Sequence, residues 1–332
     1  MNRPSPWLLA SIFACGCGNP ELVAGRWVDL QQTDSHAVLR NLAASSDGRV
    51  FVATRPGVLR SRDRLGFERL GEGWDVALVA VDRQDHVYAA VEQYEQSPEP
   101  LRISFDGGDT WAAGTVPAGI TVKGIVADPS ASGRVYLVGD DSVGQGNLYR
   151  SDDGGANFAR ISDWGGVLAV DGDGAIYLAR YDGLWRSDDQ GVTFLLQSAE
   201  PAGANLSPRF VLTDPGNAGH LIVGTQDGLY TTTDGGATWS RTDPGVTSSS
   251  CSVIYQNAAR VPGSPSEIYM AVNAAGIYHS ADNGLTWEAK NNGLTGECIN
   301  PLGIGVVAGT DVVVYATILG TGRDAIFAFL AE

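Results

Sequence analysis

The chain has 332 residues and a formal charge of −16 at pH 7, with Lys123 and Lys290 as its two lysines. The acidic excess is spread along the sequence, which argues against nucleic acid and anionic lipid surfaces, since both demand clustered Lys and Arg. Forty-three glycines point to many tight turns, and the length suits one large β domain or two small ones.

At the N-terminus, Arg3 is the one charge ahead of the apolar run Trp7 to Ala14. Such a run is too short to span a bilayer, which takes about 20 helical residues, but it suits the core of an export signal. Ala14-Cys15-Gly16-Cys17 follows. It resembles a bacterial lipobox, which implies a lipid on Cys15, with Cys17 as the competing register. Residues 1–17 therefore read as a leader, 18–25 as a short tether and 26–332 as the folded domain.

The domain opens with an isolated strand, Arg26-Trp27-Val28-Asp29-Leu30-Gln31. Seven similar units follow. Each has an apolar strand, a Gly/Asp turn, a second strand, a loop, a third strand, a polar octet and a fourth strand. The octets read Ser104–Trp111 (SFDGGDTW), Ser151–Phe158 (SDDGGANF), Ser187–Phe194 (SDDQGVTF), Thr232–Trp239 (TTDGGATW) and Ser280–Trp287 (SADNGLTW). A copy one residue shorter sits at Ser61–Phe67. Their aspartates, Asp63, Asp106, Asp153, Asp189, Asp234 and Asp282, recur every 36 to 48 residues, the length of a four-stranded repeat. Each octet lies between strands and so reads as a hairpin tip. Its Asp is expected to accept backbone N–H groups two or three residues on. The Gly at the fifth position supplies a positive φ. The Thr and Trp that end the octet start the return strand, where such side chains fit the pleat.

These octets resemble the Asp-box, or BNR repeat, of sialidases, sortilin-type receptors, xyloglucan-cleaving hydrolases and a photosystem II assembly factor. The resemblance implies an all-β fold, a β-propeller in which the box is a structural hairpin remote from the active site. The seventh unit stops after its third strand, at Ala325 to Phe329, and Arg26–Gln31 is a spare fourth strand. Pairing the two closes a ring of seven four-stranded blades and removes two open edges. A six-bladed ring with the last unit as an appendage is the alternative. Cys251 begins the first strand of unit six, and Cys298 lies just before that of unit seven. With an export signal they are expected to form a disulfide, contributing roughly 4 kcal/mol in the chain-entropy model.

Ligands of such rings meet the face opposite the boxes. That face carries the loops between second and third strands and the links between blades. Its candidate ligand-binding residues are Arg55, Trp74, Tyr94, Trp164, Arg180, Tyr181, Asp182 and Arg323, aromatic and charged groups of the kind that hold sugars. Likeness to sialidases would imply three arginines around a substrate carboxylate, a Tyr nucleophile with a Glu partner and an acid/base Asp. Arg55, Arg180 and Arg323 are the available arginines, but the Arg-Ile-Pro signature of that family is missing. Xyloglucan hydrolases of this repeat type set two propellers around a cleft, and the repeats here make one. The four histidines show no ligand spacing, and Asp171-Gly172-Asp173-Gly174 reads as a turn rather than a calcium loop. No metal or cofactor is expected. The sequence thus points to an exported, lipid-anchored binding or scaffold propeller of a bacterial cell envelope, held to a membrane through its N-terminus. Its ligand would be a glycan or an envelope protein. A sialidase-like glycoside hydrolase comes second and a membrane-complex assembly factor third.

Overall fold

The computed structural model describes residues 21–30, 38–92, 100–198, 207–246, 251–295, 298–319 and 324–331. Residues 1–17 with Cys15 and Cys17, part of the 18–25 tether, Tyr94 and Arg323 lie outside these. The described residues form 28 strands in seven four-stranded antiparallel sheets, with no helix. The first sheet runs Val38–Ala44, Val50–Arg55, Val58–Ser61 and Phe67–Leu70, and the next five repeat that order. First strands of neighbouring sheets lie against one another around the ring. The molecule is a seven-bladed β-propeller.

Its hydrophobic core sits between blades. Seven apolar clusters occur, one in each gap between neighbouring sheets. This explains why second strands such as Val87–Val91 are buried at every residue instead of alternating. A sheet sandwiched on both faces has no solvent side to which a polar residue could turn. Each fully buried Val, Leu or Ile contributes about 1.5–3 kcal/mol.

The seam closes as the repeats predict. The last blade consists of Asn300–Ala308, Val312–Leu319, Ala325–Leu330 and Trp27–Asp29, in register Trp27↔Phe329, Val28↔Ala328 and Asp29↔Phe327. The strand faces both of its neighbours. Trp27 enters the cluster between blades six and seven, 5.2 Å from the Phe329 ring, and Leu30 enters the cluster between blades seven and one. Trp27 also ties the seam to blade six, since its Nε1–H donates to Lys290 O at 2.5 Å and its backbone N–H to Asn292 O at 2.8 Å.

The octets are hairpin tips, but the Asp works differently from the expected turn. In the five full copies a buried Ser or Thr hydroxyl at the first position is the hub. It donates to the Asp carboxylate at 2.6–2.8 Å and accepts the N–H of the fifth residue at 2.6–3.0 Å. The Asp takes the N–H of the seventh residue, four positions on, at 2.8–2.9 Å, and that residue's side chain at 2.5–2.8 Å. The expected bonds two and three residues on appear in the short copy, where Asp63 accepts from Leu65 at 3.1 Å and Gly66 at 2.6 Å, and the one three residues on also in a full copy, where Asp282 accepts from Leu285 at 3.1 Å. One residue fewer leaves no room for the longer span.

Positive φ occurs at the fourth position as well as the fifth, in pairs such as Gly235 and Gly236 or Gln190 and Gly191. The fifth glycine answers a second demand. A Cβ on Gly284 would lie 2.4 Å from Ile222 Cδ1, in the preceding blade. The closing aromatic packs the same way. Trp239 joins Tyr177 and Leu184 of the blade before it, and Trp287 joins Ile222 and Leu229. Each box therefore fastens its own hairpin with polar bonds and presses an apolar side chain onto its neighbour.

Three outcomes follow. Trp27→Ala should lower the free energy of urea unfolding by about 3–5 kcal/mol, and a loss under about 1 kcal/mol would mean the ring closes without this anchor. Ser151→Ala strands the buried Gly155 N–H and should cost about 1–3 kcal/mol in the same measurement. The carboxyls of Asp106, Asp189 and Asp234 are held down to about 2, first by the hydroxyls of Thr110, Thr193 and Thr238 and then by those residues' N–H groups. Asp153 is held to about 2 by Ser151 first and Asn157 second. Folded-state values below the ordinary 3.8 mean stabilisation that is present above that pH and lost as pH falls towards 2. Melting temperature should drop across that interval, and a flat profile there would contradict this.

Candidate functional site

Antiparallel order gives the ring two faces. Boxes and the turns between first and second strands share one face. Loops between second and third strands, with the links between blades, form the other.

The box face has a cavity of about 410 Å³ at the mouth of the central channel, lined by Ala44, Ala80, Ile125 and the turns at Asp82 and Asp128. Its carboxylates serve their own turns. Asp82 accepts the N–H groups of Gln84 and His86 at 2.9 Å, His86 Nδ1 at 2.8 Å and the Tyr88 hydroxyl at 3.2 Å. Asp171 takes Asp173 and Ala175 N–H at 3.0 and 2.9 Å and the Tyr177 hydroxyl at 3.3 Å, so this segment is a turn. Burial pushes the Tyr136 and Tyr177 hydroxyls up to about 12. Among the described residues no group of three His, Cys, Asp or Glu side chains is placed to hold a metal.

On the loop face the sequence candidates divide. Trp74 and Trp164 are half-buried, and each packs against neighbouring rings. Trp74 stands edge-on to Trp111 at 5.5 Å with the Arg102 guanidinium 5.2 Å from its ring. Trp164 meets Trp185 at 4.4 Å, stacks on Phe194 at 5.8 Å and carries the Arg180 guanidinium at 4.6 Å. Large flat rings fill the gaps where a blade link crosses between sheets. Arg55 lies 3.4 Å from the buried Asp75, which also takes Arg40 at 2.9 Å, while Arg40 reaches Glu92 at 2.8 Å. Arg180 pairs with Asp182 at 3.1 Å and donates to Gly165 O at 3.2 Å. Burial opposes charge on Asp182, yet hydrogen bonds from Arg180 and Trp185 hold its carboxyl below the usual range. Arg55 and Arg180 thus stand on blades one and four, each beside its own carboxylate. Tyr181 is different, with 79% of its surface exposed.

Tyr181 borders a groove of about 450 Å³ between blades three and four. The floor is glycine. Gly146 and Gly165 approach so closely that a Cβ on either would lie 2.6–2.8 Å from the other's Cα. Asp140, Gln145, Arg180 and Tyr181 form the walls, and Pro208 lies at one end. Lys123 Nζ lies 3.9 Å from Asp140.

Sequence reasoning missed the cations of the first strands. Register slips near the start of six first strands and leaves Arg40, Lys123 and Arg209 out of the ladder. The broken alternation in Val38–Ala44 and Thr121–Ala127 was the available signal. The same face is braced by the Cys251–Cys298 disulfide, with Cα atoms 6.3 Å apart, between the links that lead into blades six and seven.

Comparison with known proteins agrees with this architecture. The family model described as BNR/Asp-box repeat matches residues 230–241. A xyloglucanase of Hypocrea jecorina (strain QM6a) is 29% identical over 191 residues, which is 50% of this chain and 20% of that protein. The chain therefore spans about a fifth of that relative's length. YCF48 from Cyanidioschyzon merolae superposes with a TM-score of 0.65 at 15% identity, over 92% of this chain and 98% of that one. The extracellular domain of BT4673 from B. thetaiotaomicron gives 0.65 at 13% identity, over 91% and 40%. At such identities the two structures speak for the fold alone. With its repeated hairpins, the matched repeat and a ring of seven sheets, the chain is a seven-bladed β-propeller that carries Asp-box, or BNR, repeats.

Proposed function

We propose that this protein is an exported propeller of the cell envelope that binds a polysaccharide or an envelope protein and catalyses no reaction on it. One observation carries the proposal. Among the described residues, Arg55, Arg180, Asp182 and Trp164 of the loop face are engaged with neighbouring groups, while the groove beside Tyr181 is open. A site that turns over sugar needs groups free to exchange protons or attack carbon. A site that holds sugar needs a shaped, pre-organised surface. Export is supported by the apolar run before Cys15, by a disulfide of the kind that persists outside the cytosol, and by the extracellular placement named for the BT4673 domain. Cys15, or Cys17, would carry the lipid that holds the propeller at a membrane.

A second reading, a glycoside hydrolase, is favoured by the 29% identity to a xyloglucanase. The test is turnover. The soluble form from Gly18 onward, incubated with xyloglucan, other plant and bacterial glycans and sialylated oligosaccharides, should release neither reducing sugar nor sialic acid. It should still retain a glycan or an envelope protein in pull-down. Sustained release of sugar would replace the binding proposal with the hydrolase.

A further inference from the structure

We propose that the groove between blades three and four binds an uncharged hexopyranose chain, with Tyr181 as the stacking platform. This names the ligand class of the binding function above and rests on it.

Charge is the first ground. Arg180 is the cation that lines the groove, and it and the nearby Lys123 each lie beside a carboxylate. Arg180 is 3.1 Å from Asp182, and Lys123 is 3.9 Å from Asp140. The Arg180 guanidinium also donates to Gly165 O and lies on the Trp164 ring. Gripping the carboxylate of an acidic sugar would mean breaking one of these pairs, on a chain that carries −16 in total. Arg209, at the register slip after Pro208, is not among the residues that line the groove. Sugar hydroxyls both donate and accept. A rim of matched donors and acceptors therefore suits a neutral polyol without disturbing the ion pairs.

Shape is the second ground. Tyr181 is 79% exposed, a large apolar surface left in water. The Arg180 guanidinium lies 5.8 Å from its ring and rests on Trp164, which packs against Trp185 and Phe194. An exposed aromatic ring is a platform for the flat C–H face of a pyranose. Gly146 and Gly165, packed backbone to backbone, line the groove without side chains of their own. The Gln145 amide, without a side-chain partner among the described residues, stands on the wall to meet hydroxyls.

The experiment is calorimetry of the purified protein with neutral glycans (xyloglucan, mixed-linkage glucan, galactomannan) against acidic ones (polygalacturonate, sialylated oligosaccharides). A neutral glycan should bind, and its affinity should stay within about twofold as salt rises from roughly 0.05 to 0.5 M, because screening has no net charge to act on. Tyr181→Ala should weaken binding about tenfold or more and Gln145→Ala severalfold, with melting temperatures unchanged, while Leu195→Ser on the outer edge of blade four leaves binding intact. Preference for acidic glycans with steep salt dependence would overturn the inference, as would neutral binding indifferent to Tyr181→Ala. Capture of an envelope protein with no glycan bound would also overturn it while leaving the binding function standing. Hydrolysis of a bound glycan would remove the non-catalytic function, and the Tyr181 variant would still report whether this groove holds the chain.

Discussion

Apolar packing between adjacent sheets is the constraint on which the rest of this molecule depends. No blade has a core of its own. Each buries its two faces against its neighbours, and a cluster fills every gap around the ring. An open ring would leave two apolar faces and two strand edges in water. The strand from Trp27 to Asp29 prevents this by pairing with Ala325–Leu330, far away in sequence. Closure by the first strand also places the start of the domain beside its end, so the seam is held by side chains from both.

The boxes and the groove are separate answers to this geometry. Each box resolves a local difficulty, a sharp reversal at the outer edge of a blade. Its polar bonds are made within eight residues, and its glycines lean on the blade before. Those carboxylates are saturated by their own hairpins, which leaves them little to offer a ligand. The opposite face is built from loops that no repeat pattern governs, and there blades three and four part enough to leave an open cleft. Structural economy on one face and variety on the other follow from the antiparallel order of four strands.

Some of the loop face was legible and some was not. Tyr181 could be placed there from its position between the second and third strands of unit four, and it does stand exposed. Trp74 and Trp164 lie on the same face in links between blades, yet they are half-buried, each packed against the apolar cluster of the gap beside it. Nothing in the local sequence separates these fates. Arg55 and Arg180 look alike as well, and only the fold reveals that each lies beside a carboxylate of its own. The bulged cations Arg40, Lys123 and Arg209 escaped notice because a bulge resembles imperfect alternation until the partner strand is known.

Repetition in the sequence by itself determined the all-β class, the number of blades, the hairpin at each octet and the strand that closes the ring. Those features depend on interactions short in sequence, or on a count of equivalent units, and both can be read along a line. The tertiary structure decided which aromatic stands exposed and which packs against its neighbours, which cations lie beside a carboxylate, and where two blades leave a groove. These are properties of distances between units, set by how seven similar sheets of unequal loops pack around one axis, and no single repeat contains them.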